Sequence, residues 1–138
     1  MRPFQRSEKG QDLVEYALVL PLFILLVLSV VEFGYLFLQY NTVTNAAREG
    51  ARAGILPVTT SCNLACQDAK ATAAANTFAA AAGLHLSDLN VTVNHPSTTQ
   101  VRVEVSYTTR FMTTPLMAVI GSADSFTLQS TATMFRAS

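Results

Sequence analysis

Sixteen consecutive residues, Tyr16 to Val31, carry no charge: YALVLPLFILLVLSVV. Glu32 interrupts the run, and FGYLFLQY then extends the apolar character to Tyr40. About 20 apolar residues at ~1.5 Å of rise each cross a hydrocarbon core of ~30 Å. Counted from Leu13, that length ends near Glu32, so a transmembrane helix is expected here. Glu32 fits two places. It can lie at the far interface, with Phe33, Tyr35, Phe37 and Tyr40 as an aromatic belt. Alternatively it is buried against a partner helix, because an acid at membrane depth is costly unless paired. Pro21, inside the span, removes the hydrogen bond to the Ala17 carbonyl and is expected to kink the helix. It is either simply tolerated there or a flexible point.

Charge sets the direction of the span. Residues 1–10 hold Arg2, Arg6 and Lys9 against Glu8, whereas residues 11–138 hold six basic and eight acidic residues. The basic end directly precedes the apolar run and is expected to stay in the cytoplasm. The rest of the chain then lies outside. A cleaved secretory signal has an apolar core of ~7–15 residues and a small-x-small site after it. This run is longer, and Glu-Phe-Gly-Tyr-Leu-Phe follows it, so the segment is expected to be retained. With a formal net charge of zero, nothing points to a nucleic-acid partner.

The helix is expected to continue beyond the membrane. Leu36, Tyr40, Val43, Ala47 and Ala51 recur at helical spacing, while Asn41, Thr44, Asn45, Arg48 and Arg52 occupy other faces. Gly54 and Pro57 should end it, giving a helix of roughly 40 residues, ~60 Å long. The expected organisation is a basic leader over 1–10, a transmembrane part over 11–40, an outer extension over 41–56 and an outer domain over 57–138.

Within the outer domain, Cys62 and Cys66 are the only cysteines. Outside the cytoplasm a disulfide is the default, and a tight turn brings α-carbons four residues apart toward the ~5.5–6 Å that a bridge prefers. No metal set is expected, since the chain has only two histidines, His85 and His95. Each reads as a surface or loop residue. Nine of the fourteen residues from 69 to 82 are alanine, the strongest helix former, with Gly83 as the cap. The period then changes to two. Leu89-Val91-Val93, Val101-Val103-Val105-Tyr107 and Phe126-Leu128 alternate with polar residues and predict half-buried strands. Asn94-His95-Pro96-Ser97 is expected as the first turn, and PLMAVIG (115–121) as a helical turn ended by Gly121. The fold class is therefore α+β: a long transmembrane helix, an Ala-rich helix and an antiparallel sheet of about three strands. No catalytic constellation, phosphate loop or cofactor motif is recognisable, so no enzyme is expected. Asn90-Val91-Thr92 fits a glycosylation pattern as easily by chance.

Gly10-Gln11-Asp12-Leu13-Val14-Glu15-Tyr16 resembles the processing site of Flp-type prepilins. Val14-Glu15-Tyr16, Leu20-Pro21, Glu32-Phe33-Gly34 and Asn45-Ala46-Ala47-Arg48-Glu49-Gly50-Ala51-Arg52 together resemble a TadE-like domain over about residues 10–54. The resemblance implies a pilin-like pseudopilin or minor pilin of a Tad pilus system in the inner membrane, or in an extracellular pilus. Its partners would be the bilayer, other pilin-like subunits, the Tad machinery and a prepilin peptidase cutting between Gly10 and Gln11. It also implies assembly contacts through Glu15, Tyr16, Pro21 and Glu32, and a family motif at Asn45, Arg48, Glu49, Gly50 and Arg52. Glu15 would become the fifth residue of the cut chain and pair with a neighbour's terminal amine; alternatively it only sits well at a helix N-terminus. Tyr16 also fits a plain interfacial aromatic. A major filament subunit is the alternative within the class. A membrane-anchored adhesin, with its surface in loops 57–65 or 110–125, is the alternative outside it.

Overall fold

The computed structural model describes residues 8–55, 62–111 and 125–136. Helix α1 runs from Glu8 to Gly54, 47 residues and ~70 Å, unbroken through Pro21. It is longer than the expected 40 residues because it begins before Gly10. Its end at Gly54 agrees with expectation; Pro57 lies outside the described residues. Ser29, within the apolar run, satisfies its hydroxyl on the Leu25 carbonyl at 2.8 Å.

Helix α2 covers Leu64–Ala81. Asn63 caps its N-terminus, its side chain accepting from the Cys66 N–H at 3.0 Å. At the other end Gly83, at φ +86°, allows the chain to reverse. The Gly83 N–H donates to Ala80 O and the Leu84 N–H to Ala79 O, both at 3.0 Å. This is a Schellman closure, with Leu84 tucked in behind it.

A 3-10 turn at Leu86–Asp88 leads into strands β1 (Leu89–Ser97), β2 (Gln100–Arg110) and β3 (Ser125–Phe135). They form an antiparallel meander in the order β1-β2-β3. Val91 faces Val105 and Val93 faces Val103 across one seam. Val103 faces Ala132 and Tyr107 faces Leu128 across the other. The alternation in β2 is strict: Val101, Val103, Val105, Tyr107 and Thr109 are buried and their neighbours are not.

The expected turn at Asn94–Ser97 is not where the chain reverses. β1 continues to Ser97, and Thr98-Thr99 make the turn. The register shifts between Asn94 and Ser97. Pro96 lacks an N–H and is accommodated in this irregularity of an edge strand rather than at a corner. The helical turn expected over 115–121 lies outside the described residues.

Both helices pack on one face of the sheet. Ala71, Ala75 and Ala79 of α2 and Val43, Ala46, Ala47 and Ala51 of α1 are completely buried with the β2 valines. The buried line on α1 differs from the expected apolar stripe. Val43, Ala47 and Ala51 lie on it, and Leu36 is half-buried, but Tyr40 is exposed and Gln39 is buried instead. The line runs Glu32, Leu36, Gln39, Val43, Ala46, Ala47, Gly50, Gly54. These are mostly steps of four and three, with polar residues at two of the positions.

Candidate functional site

Helix α1 is divided by what surrounds it. Every side chain from Asp12 to Val31 is exposed, and Leu18, Leu22 and Phe23 keep 74%, 70% and 61% of their surface. Glu32 is the first buried residue, at 8%. From there to Gly54 one face of α1 forms part of the domain core. The bare part is about twenty residues long and apolar, with a mean hydropathy of 2.5 over its best window. By length and composition it can cross a membrane.

At the head of the bare part, Asp12, Glu15, Tyr16 and Val19 share one face and line a shallow groove. Their spacing of three, one and three places them within two turns. Glu15 and Tyr16 are exposed, so neither is used by the fold. Gly10 lies in the first turn of α1, where an added Cβ would meet nothing within 4 Å. Gln11 follows it in the helix. Pro21 is exposed on the bare part.

Glu32 lies at the junction of bare helix and domain and is engaged there rather than exposed to lipid or water. Gln39, two turns on, is only 4% exposed and its Oε1 has no hydrogen-bond partner among the described residues. A buried orphan acceptor costs ~1–3 kcal/mol. Glu32 stands out as the charge that ends the apolar run. Gln39 does not stand out by hydropathy, and counting back one step of four from Val43 finds it.

The motif from Asn45 to Arg52 serves two faces. Ala46, Ala47, Gly50 and Ala51 turn inward and are buried. A Cβ on Gly50 would lie 3.1 Å from the Ala71 carbonyl oxygen, 3.1 Å from Val103 Cγ1 and 3.2 Å from Ala75 Cβ. On Gly54 it would lie 3.0 Å from Val101 Cγ1 and 3.3 Å from Ala71 Cβ. The small residues thus set how closely α2 and β2 approach α1. Asn45, Arg48, Glu49 and Arg52 point outward and are exposed, with a 4.0 Å contact between Arg52 and Glu49.

Cys62 and Cys66 are bonded, their α-carbons 5.3 Å apart, at the start of α2. His95 is more than a loop histidine: its Nε2 lies 2.7 Å from Asp68 Oδ1 and ties β1 to α2. His85 precedes the 3-10 turn. Its main chain hydrogen-bonds Tyr107, whose hydroxyl is pushed above its ordinary pKa by burial despite that bond, and further by the neighbouring Tyr35. Arg136, at the end of β3, donates to Gln67 Oε1 at 2.6 Å. Among the described residues no group of three or more His, Cys, Asp or Glu is placed to hold a metal ion.

The family model described as TadE-like protein matches residues 10–52, roughly a third of the chain. No curated protein and no solved structure matches the chain. The match begins at Gly10 and ends at Arg52, so it takes in the groove at Glu15, the bare span and the small-residue contact with α2. The similarity to TadE-like proteins thus covers residues 10–52, and with them nearly all of α1.

Proposed function

We propose that the chain is a single-pass pseudopilin or minor pilin of a Tad-type (Flp) pilus system, a structural subunit that associates through the bare half of α1. The observation that carries this is the division of one helix. Residues 12–31 are exposed all round and almost wholly apolar, whereas from Glu32 to Gly54 one face of the helix is committed to the domain. Twenty residues at ~1.5 Å match a core of ~30 Å. In this reading the span ends near Glu32, where its ~20 residues run out, and the exposed Phe33, Tyr35, Phe37 and Tyr40 follow it. The basic leader stays in the cytoplasm and the disulfide-bearing domain lies outside.

The Gly10–Gln11 bond is the processing site. It lies in the first turn of α1, where the N–H groups have no intrahelical partners. Opening that turn for a peptidase is cheap, and Gly10 is unencumbered. Cutting there leaves a charged amine on Gln11, four residues from Glu15. A neighbour's amine against Glu15 relieves two charges that are each unfavourable at the edge of lipid.

Two measurements test this. Intact mass of the membrane-extracted chain should show loss of residues 1–10; a full-length native chain would remove the prepilin part. Glu15→Ala should reduce co-purification of pilin-like partners while leaving the melting of the outer domain unchanged. Undiminished co-purification would take Glu15 out of its role.

A further inference from the structure

We propose that the underside of the outer domain is itself a membrane-contacting surface, with Leu86 and Phe126 seated in the bilayer interface beside the point where α1 emerges. This rests on the span ending at Glu32.

The geometry follows from which ends of the elements lie together. Gly54 of α1 meets Val101 and Ala71, so the start of β2 and the first half of α2 lie at the far end of the domain. Tyr107, six residues further along β2, lies near Tyr35 of α1 and the His85 main chain. It also pairs with Leu89 at the start of β1. The 3-10 turn, the start of β1 and the end of β2 are therefore at the level of Tyr35. β2 continues three residues to Arg110, which pairs with Ser125, while Thr109 pairs with Phe126. At ~3.3 Å per residue the strand descends up to ~10 Å beyond Tyr107. From Tyr35 to Val31 the helix descends only ~6 Å at ~1.5 Å per residue. The end of β2 and the start of β3 thus reach the level at which α1 becomes bare.

No linker separates span from domain: Val31 is exposed and Glu32 is buried in the same helical turn. With the span ending there, the described surface around that point lies at the level of the lipid boundary. Among the described residues of the sheet and the 3-10 turn at this level, Leu86 and Phe126 are apolar and each 51% exposed, with exposed Arg110 nearby, and Phe33, Phe37 and Leu38 of α1 are exposed there too. Apolar side chains with a neighbouring cation suit the headgroup boundary. Exposure alone is not the reason, since Phe135 at the far end is 68% exposed. Placement is the reason.

The chain has no tryptophan, so single Trp substitutions report depth directly. Full-length Leu86→Trp, Phe126→Trp, Phe135→Trp and Leu22→Trp are reconstituted in phosphatidylcholine–phosphatidylglycerol vesicles whose acyl chains are brominated near the carbonyl end. Interfacial elements lie ~5–10 Å into the boundary, so emission from positions 86 and 126 should fall by roughly half or more, with a blue shift. Position 135 should be unquenched. If 86 and 126 behave like 135 while 22 is quenched (with bromine deeper in the chains where needed), the span stands and the membrane-contacting underside is refuted. If 22 is unquenched at every bromine depth, the anchor fails and this proposal with it. Quenching at 135 as strong as at 126 refutes the placement. Either of the two reporters suffices if the other variant does not melt like the parent.

Discussion

Replacing Gly50 by alanine adds one methyl group at a close contact between α1, α2 and β2. Two effects oppose each other. Alanine is better than glycine in a helix interior by ~0.8–1 kcal/mol. Against that, the new Cβ lies 3.1 Å from the Ala71 carbonyl oxygen and from Val103 Cγ1, and 3.2 Å from Ala75 Cβ. None of the three yields easily. The oxygen belongs to the α2 backbone, Val103 is fully buried, and Ala75 has no rotamer to change. α2 must shift as a body, and overpacking of this kind costs ~1–3 kcal/mol. The net expectation is a loss of up to about 2 kcal/mol, a fall in melting temperature of up to roughly 10 °C for a domain of this size. The assay is thermal unfolding of the purified chain in detergent, followed by circular dichroism. Gly34→Ala is the matched control: its Cβ would meet nothing within 4 Å, so propensity alone acts and stability should hold or rise. A Gly50→Ala chain that melts above the parent temperature would refute the close-approach reasoning.

Other outcomes follow from the same geometry. Reducing the Cys62–Cys66 bond, or replacing both by serine, should cost about 2 kcal/mol, because so short a loop restrains little chain; melting with and without reductant measures it. His95→Ala should cost under ~1 kcal/mol, since both partners of the Asp68 contact are partly exposed. Tyr107 should ionise above the ~10 of a free tyrosine, because burial favours its neutral form. The folded state then holds a proton that the unfolded chain releases, so stability present below pH ~10 should fall as pH rises above it. Tyr107→Phe should remove that decline, read by melting across the alkaline range.

Much of the fold is legible because its signals are local. The apolar run, the alanine block with Gly83 after it, and the period-two valines each name their element without help from the rest of the chain. The hidden features depend on packing. Tyr40 reads as a core residue by hydropathy, but the face toward the sheet carries Gln39, and burial follows the face rather than the side-chain type. Glu32 is buried for the same reason. The turn lies beyond its expected place because His-Pro-Ser reads as a corner, whereas a bulged edge strand also tolerates proline. Among the motif residues, the outward set of Asn45, Arg48, Glu49 and Arg52 cannot be separated from the inward Gly50 without knowing where α2 lies. The His95–Asp68 and Arg136–Gln67 contacts join residues 27 and 69 positions apart, and no spacing rule foretells such pairs.

The bare half of α1 is proposed to serve association with other subunits as well as anchorage, and that role is open to direct test. A photo-crosslinking amino acid is placed at Val19, on the face shared with Glu15, in cells that carry the native pilus machinery. The predicted result is a protein adduct containing a pilin-like subunit, lost when Glu15 is changed to alanine. Crosslinks to lipid alone, with no protein adduct in the wild-type background, would contradict it.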